Sequence, residues 1–207
     1  MKKIRIVILI MVVVTVAATI MYTVNETGGE EGYLTQINRA RQEKINFLRA
    51  ADDSPFQTEG ALPYRNPVYY ETDSRYRVRA TLTKNTIKEP FALGNTGGQQ
   101  EQFFIYGYAD FTLDGQPCRL MLLDPLDNDD PDYLFLPFAD ATSGKETYGS
   151  GRFLDLRKPK TGSTIVVDFN LAYNPYCAYN ETFICPLPPS RNVLSVAINA
   201  GEKNFGK

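Results

Sequence analysis

The sequence predicts a mainly β protein, namely an antiparallel β-sandwich or barrel with one N-terminal helix, preceded by a transmembrane segment. Three observations lead to this fold class. Aromatic residues form 12% of the 207-residue chain, and flat rings pack well on a pleated sheet. Short runs of alternating apolar and polar residues recur from Tyr76 onward, with turn residues between them. Helical spacing of apolar residues ends at Ala51 and does not return convincingly.

The first 24 residues contain an uncharged apolar stretch, Ile6–Val24, which follows Lys2, Lys3 and Arg5. About 17–25 apolar residues span a bilayer as a helix, and cations on its N-terminal side keep that end in the cytoplasm. We therefore predict an uncleaved signal anchor over 1–24. A cleaved signal peptide is the alternative. Both place the domain outside the cell membrane, in the periplasm or at the cell surface.

A glycine- and glutamate-rich stretch, 25–33, predicts a linker, and 34–207 predicts one β-rich domain. That domain begins with Leu34–Ala51, where near-helical spacing predicts a helix that stops before Pro55. Its predicted role is structural, as a cover for one end of the sheet or as a spacer from the membrane.

The predicted strands follow in order. Tyr76–Leu82 alternates apolar and basic residues, and Lys88–Gln100 is rich in turn residues. An Asp-Gly pair at 114–115 between Phe103–Leu113 and Gln116–Leu123 predicts a type I′ hairpin, because both turn positions need positive φ. The further strand candidates are Tyr133–Phe138, Arg152–Leu156, Thr164–Asn170 and Val193–Ile198.

Composition excludes several classes of function. Histidine is absent, which excludes Ser-His-Asp and Cys-His catalysis and histidine-ligated metals. The aspartate-rich Asp124–Asp132 lacks the glycine and the glutamate of a helix–loop–helix calcium site, so it predicts a solvated turn. A net charge of −2 argues against nucleic-acid binding. The sequence implies no cofactor and no metal, and leaves protein partners open.

Polar and glycine-rich motifs are concentrated in Pro137–Glu202. They are Phe138-Ala-Asp-Ala-Thr-Ser-Gly-Lys-Glu-Thr-Tyr-Gly-Ser-Gly-Arg-Phe-Leu, Asp168-Phe-Asn-x-Ala-Tyr-Asn-Pro-x-Cys-Ala-Tyr, Cys185-Pro-Leu-Pro-Pro and Asn192-x-Leu-x-Val-x-Ile-x-Ala-Gly-Glu. In these motifs the chain resembles an uncharacterised prokaryotic family, domain of unknown function (DUF) 1684, over about Ile37 to Lys203. The resemblance implies no established activity and therefore no functional residues.

Arg152 is the first candidate for a ligand-binding residue, since it follows two glycines and its planar fork can hold a carboxylate or phosphate. The alternative is an internal ion pair with Asp140 or Asp168. The full set of candidate ligand-binding residues is Asp140, Ser143, Glu146, Tyr148, Arg152, Asp168, Asn170 and Tyr173.

The same region allows two other interpretations. Asp140, Glu146, Asp168 and Glu202 can supply the carboxylate pair of a histidine-free hydrolase, if two of them lie at the right separation. Three tyrosines, Tyr148, Tyr173 and Tyr179, can line an aromatic pocket, or they can pack in the core with their hydroxyls hydrogen-bonded. Their positions in space decide between these interpretations.

Two cysteines, Cys177 and Cys185, are expected to form a disulfide, because the domain is predicted to lie outside the membrane. Such a bond contributes about 2–4 kcal/mol. We expect the loops Asp140–Arg152 and Asp168–Cys185 to meet Glu202 at one end of the sheet. The hypotheses are a binding module for a small polar or anionic ligand, a histidine-free enzyme, or a structural envelope protein.

Overall fold

The computed structural model describes residues 29–206. One helix, α1, covers 29–50, and six strands follow it. The strands are β1 Arg77–Gly94, β2 Gln100–Leu113, β3 Gln116–Pro125, β4 Tyr133–Phe138, β5 Arg152–Arg157 and β6 Thr164–Asp168. Contacts divide the chain between Arg41 and Gln42, so the sheet and the last turns of α1 belong to one unit.

The mainly β class with one helix is confirmed, but neither a sandwich nor a closed barrel is present in the described part of the chain. The strands form a single antiparallel sheet in the order β5-β4-β3-β2-β1-β6, curled into a half-barrel. All six described strands belong to this one sheet, and Val193–Ile198, a predicted strand, joins no ladder. Only Val193 makes an isolated bridge, with Ala139.

The predicted membrane segment, Ile6–Val24, lies outside the described residues. Within 29–206, no helix is both long enough and apolar enough to cross a bilayer. Helix α1 takes in residues 29–33, which the sequence assigned to a linker. Its buried positions include Tyr33, Ile37 and Leu48, whereas Leu34, the first residue of the predicted helix, is exposed.

The hairpin between β2 and β3 has the predicted turn, since Asp114 and Gly115 have φ of 48° and 75°. The alternation at the start of β1 is also confirmed, because Val78, Ala80 and Leu82 are buried. However, β1 continues to Gly94 through the stretch that predicted turns. There it pairs with β2 alone, and an edge position tolerates proline because the ladder on that side needs no donor.

The sheet has an apolar cluster on each of its faces, and a bulge in β2 moves side chains from one to the other. Phe103 and Ile105 pack in one cluster, while Ala109 and Phe111 pack in the other. The register shifts between Ile105 and Gly107. Gly107 is required there because a Cβ would lie 2.3 Å from Thr83 O.

The sheet opens between β3 and β4, which register at one residue pair only. The Asn192 carboxamide fills this opening. Its Oδ1 accepts from Met121 N at 2.7 Å, and its Nδ2 donates to Met121 O at 2.9 Å and to Pro137 O at 2.8 Å. One side chain therefore supplies the hydrogen bonds of a strand at this point and holds the turn Ser190–Asn192 on the sheet.

Candidate functional site

Arg152 begins β5, and its side chain is fully buried. Its Nη2 donates to Asp140 Oδ2 at 2.9 Å and to Ile198 O at 3.0 Å. Its Nη1 donates to Glu202 O at 3.1 Å and to the carbonyl oxygen of Ala200. The guanidinium is therefore occupied by one carboxylate and three carbonyls, and it presents no open face to a ligand.

Asp140 completes this buried ion pair. Its Oδ1 accepts from the Thr142 hydroxyl at 2.6 Å, from Thr142 N at 2.8 Å and from Ile198 N at 3.2 Å. Burial lowers the pKa of Arg152, and the negative charge of Asp140 opposes this shift. The internal ion pair is thus formed with Asp140. At the end of the predicted strand Val193–Ile198, the carbonyl of Ile198 is thus bound by a side chain and not by another strand.

The residues between Asp140 and Arg152 form a compact turn. Ser143 Oγ accepts from Asp140 N at 3.1 Å, and Glu146 is exposed, with its carbonyl bound by Asn204 N at 2.9 Å. Gly151 has φ of 88°, and a Cβ there would lie 2.5 Å from Phe138 O. The glycines therefore shape a tight corner at the start of β5.

Asp168 and Asn170 tie the end of β6 to the residues that precede β1. Asp168 Oδ1 caps the short turn Phe169–Leu171 by accepting from Asn170 N at 3.1 Å. The Asn170 carboxamide pairs with the backbone of Asp73, accepting from its N at 3.0 Å and donating to its O at 2.8 Å. Both side chains serve the connection between segments.

Glu202 is a buried carboxyl group with three donors. Its Oε1 accepts from the Tyr179 hydroxyl at 2.6 Å and from Asn174 Nδ2 at 2.9 Å, and its Oε2 accepts from Asn174 N at 3.0 Å. Burial raises the pKa of Glu202 to about 7, although these donors and the charge of Lys44 oppose the shift. The group titrates near neutral pH inside the protein.

Tyr173 lies on the other face of the sheet from Arg152. Its hydroxyl donates to Asp155 Oδ1 at 2.7 Å, and the Tyr133 hydroxyl donates to the same oxygen at 2.8 Å. Lys44 Nζ lies 4.5 Å from the centre of the Tyr173 ring, and burial lowers the pKa of Lys44. This group holds the last turns of α1 to the strand β5.

The two loops Asp140–Arg152 and Asp168–Cys185 do meet Glu202, as the sequence predicted. Arg152 bonds to Glu202 O, Glu202 N donates to Ala172 O at 2.9 Å, and Phe153 forms a two-way bridge with Tyr173. However, the side chains of Asp140 and Glu202 are buried and saturated with donors, so these two do not form the open carboxylate pair of a hydrolase. The arrangement connects chain segments.

An open cleft of about 390 Å³ lies elsewhere, lined by Tyr108 of β2, Arg119 of β3 and Arg191. Arg191 Nη1 donates to the Tyr108 hydroxyl at 3.2 Å, and Arg119 Cζ lies 5.1 Å from the centre of the Tyr108 ring. We call these three residues the arginine cleft. It lies beside the opening that Asn192 fills, because Arg191 and Asn192 share one turn.

The charge in the arginine cleft is positive. Arg119 is paired with Asp110, with Nε 2.8 Å from Oδ1 and Nη2 3.1 Å from Oδ2. Arg191 has no carboxylate within ion-pair distance among residues 29–206. One guanidinium charge is therefore left for an anion to neutralise.

Two thiols lie in the apolar cluster that contains Phe103. The structure does not show the predicted disulfide, because Cys177 and Cys185 are both free. Cys177 N donates to Cys185 Sγ at 3.2 Å, so the two residues are in contact although their sulfurs are not bonded.

The family of the chain is shown by its similarity to known proteins. Residues 64–203, well over half of the chain, match the family described as "Protein of unknown function (DUF1684)". The chain belongs to this family. The matched range contains all the motifs of Pro137–Glu202 but begins later than the expected Ile37. No curated protein matches the chain.

A solved structure supports the fold of this DUF1684 chain. The solution NMR structure of the uncharacterised protein from gene locus rrnAC0354 of Haloarcula marismortui is 34% identical, with a TM-score of 0.67. The match covers 85% of this chain and 96% of the Haloarcula protein. Neither the family description nor this structure assigns an activity.

Sequence reasoning about this DUF1684 chain missed the arginine cleft. Tyr108, Arg119 and Arg191 come from three separate segments, and none of them belongs to a recognisable motif. One signal was available, since Arg191 directly precedes Asn192 of the last motif. A charged residue next to a buried asparagine is held in place on the surface.

Proposed function

We propose that this domain binds a small monoanionic ligand, a carboxylate or a phosphate, in the arginine cleft. The observation that supports this proposal is the Arg191 guanidinium, which faces an open cleft and has no carboxylate partner among residues 29–206. Arg191 uses one of its five N–H groups on Tyr108, and the others remain for the planar, two-oxygen recognition that guanidinium favours.

Tyr108 adds a second donor. Its oxygen accepts from Arg191, so its own O–H is left to donate to a bound anion. Its ring packs under Arg119, and Arg119 in turn is neutralised by Asp110. The cleft therefore offers one net positive charge and one neutral donor, which suits a single negative charge better than a double one.

The volume of the cleft limits the ligand. Small-molecule sites usually have volumes of about 300–1,000 Å³, and 390 Å³ is near the lower limit. The two arginines of the cleft are exposed, so water and salt screen their charges. We therefore expect a small ligand that binds with modest affinity and binds more weakly as the salt concentration rises.

A structural role is the second candidate function. It is favoured by Arg152, whose buried guanidinium binds Asp140 and three backbone carbonyls through Nη1 and Nη2. In this proposal the Pro137–Glu202 motifs exist to hold loops together, and binding in the cleft is incidental. The enzyme hypothesis gains no support from the same residues, because Asp140 is inaccessible.

The location of the domain belongs to the same proposal. Ile6–Val24 anchors the chain in the cell membrane as a single pass, and the β domain lies on the extracytoplasmic side. That compartment supports disulfide formation between Cys177 and Cys185. It also exposes the arginine cleft to solutes that enter the periplasm or reach the cell surface.

The experiment is a calorimetric titration of the full-length protein in detergent at low ionic strength. Inorganic phosphate and acetate serve as probes, and both are repeated at higher salt. Three variants are compared with the wild type: Arg191→Gln, Tyr108→Phe and, as a matched control, Arg79→Gln. Arg79 is an exposed arginine on β1 that lies outside the cleft.

We expect binding that weakens with salt, a loss of about tenfold or more in Arg191→Gln, a smaller loss in Tyr108→Phe and no change in Arg79→Gln. Equal losses in Arg191→Gln and Arg79→Gln mean that the anion responds only to total charge. That result, or no binding to the wild type, favours the structural role.

A further inference from the structure

We propose that Cys177 and Cys185 are a reactive dithiol that exchanges with small disulfides, with Cys177 as the attacking sulfur and Cys185 as the resolving sulfur. This activity is separate from anion binding, because the two cysteines and the arginine cleft share no residue. It is also more than the structural disulfide expected from the sequence, since it requires a thiol that attacks and a bond that reopens.

The pair is held together by anchored backbone. Cys177 lies in the short turn Tyr176–Ala178, and its N donates to Cys185 Sγ at 3.2 Å. Cys185 is held from the other side by Thr96, since Cys185 N donates to Thr96 Oγ1 at 3.0 Å and Thr96 N donates to Cys185 O at 2.9 Å. The second sulfur is therefore already beside the first when exchange begins.

The order of attack follows from the hydrogen bonds around Cys177. The Tyr148 hydroxyl lies 3.4 Å from Cys177 O and 3.7 Å from Cys177 Sγ. Rotation about the C–O bond of Tyr148 therefore turns its hydrogen from the carbonyl to the sulfur when a thiolate forms. The Cys185 thiol and the Tyr148 hydroxyl lower the pKa of Cys177 to about 7, because both stabilise its thiolate. The same hydrogen bond raises the pKa of Cys185, because Cys185 keeps its proton in order to donate it to the Cys177 thiolate.

Tyr148 remains a donor throughout this range, because burial raises the pKa of its hydroxyl to about 12. No lysine or arginine bonds to either sulfur among the described residues. Tyr148 and Cys185 itself therefore replace the cationic partner that usually stabilises a reactive thiolate. Cys118 offers a contrast, since burial raises the pKa of its thiol.

The exchange balances without a bound cofactor. The Cys177 thiolate attacks one sulfur of a disulfide RSSR, the new Cys177–SR bond forms, and RS⁻ leaves and takes a proton from water. Cys185 then gives its proton to the solvent and attacks Cys177 Sγ, which forms the Cys177–Cys185 bond and releases the second RS⁻, which takes a proton from water in turn. Two electrons pass from the protein dithiol to RSSR, which becomes two thiols.

Burial determines the size of the reactant. Cys177 is 8% exposed and Cys185 is 5% exposed, and the partly buried rings of Tyr148, Tyr176 and Phe183 pack against the apolar cluster that contains them. A protein disulfide cannot approach such a pair without moving the loop. A low-molecular-weight disulfide is therefore the expected reactant, and it enters when one ring rotates.

The test is a reaction of the reduced full-length protein with oxidised glutathione, followed by mass spectrometry over a range of pH. The wild type is expected to lose two hydrogens and retain no glutathione. Cys185→Ser is expected to accumulate one glutathione, and Cys177→Ser to accumulate at least tenfold less at pH 7. Cys118→Ser is the matched control and should behave like the wild type.

The pH dependence of the reaction rate is a second test, and it does not require a variant that removes a sulfur. The rate in the wild type should rise with a midpoint near pH 7, and in Tyr148→Phe the midpoint should move upward while the thermal midpoint stays similar. Equal trapping by Cys177→Ser and Cys185→Ser overturns the proposed order. No reaction of the folded wild type up to pH 9 overturns the activity.

Discussion

Arg152 and Asp140 form an ion pair in which both side chains are completely buried, with 2.9 Å between Nη2 and Oδ2. The pair connects the beginning of β5 to the loop after β4 and to the C-terminal segment that supplies the carbonyls of Ile198 and Glu202. Because this pair is buried, the motifs of Pro137–Glu202 hold chain segments together, whereas the arginine cleft is open to solvent.

The first prediction concerns Arg152. Removing one partner of a buried ion pair typically costs about 3–5 kcal/mol, and Arg152→Ala should reach at least the lower value in urea denaturation, since it also leaves three carbonyls unpaired. The apolar double variant Arg152→Met/Asp140→Leu should not recover this loss, because the carbonyls remain buried. Recovery to wild-type stability would show that the carbonyl bonds contribute little.

The second prediction concerns Asn192. Asn192→Ala leaves the N–H and C=O of Met121 and the C=O of Pro137 without partners, so we expect a loss of about 2–4 kcal/mol in the free energy of unfolding. Asn199→Ala, at an exposed position in the same segment, is the control and should change stability little. Hydrogen exchange at the Met121 amide should accelerate in Asn192→Ala only.

The third prediction concerns the bulge at Gly107. Gly107→Ala places a Cβ against the Thr83 carbonyl, and a clash with backbone in a packed sheet costs about 1–3 kcal/mol or more. Gly94→Ala is the matched control on β1, where a Cβ meets nothing within 4 Å. Thermal unfolding should show a large loss for the first variant and almost none for the second. Equal losses in the two variants would mean that the contact between a Cβ at position 107 and the Thr83 carbonyl does not cause the destabilisation.

The fourth prediction concerns pH. Burial raises the pKa of Glu202 from an ordinary 4.5 to about 7, so between these values the folded protein holds a proton that the unfolded chain has released. The free energy of unfolding should therefore fall as pH rises from 4.5 to 7 and then level off, by about 3 kcal/mol at most.

The control for this effect is Glu202→Gln, which should be less stable at pH 5 because its amide faces the Asn174 N–H, but should lack this decrease with pH. The measurement is the urea midpoint at several pH values for both proteins. Parallel curves for wild type and variant would assign the titration to another group.

The fold could be predicted where the deciding interactions are local. The Asp114–Gly115 turn depends on two adjacent residues, and the alternation of Val78, Ala80 and Leu82 depends on burial of one face. Val193–Ile198 shows the limit of this reasoning. Its alternation correctly marks Leu194, Val196 and Ile198 as buried, but a period of two reports burial and not strand pairing, and a distant arginine takes up part of its backbone.

The candidate site shows the same limit. The motif around Arg152 could be identified from the sequence, but whether its guanidinium faces solvent or the interior depends on a segment about fifty residues away. The arginine cleft could not be predicted at all, because the register of β2 and β3 brings Tyr108 and Arg119 together and the Asn192 bonds add Arg191.

The most direct test of the account is a phosphate titration of the full-length protein followed by NMR of arginine side chains. We expect the Arg191 side-chain resonances to shift progressively, those of Arg119 to shift less, and those of Arg152 not to respond. Shifts at Arg152, or none at Arg191 up to concentrations at which Arg79 responds to ionic strength, would contradict it.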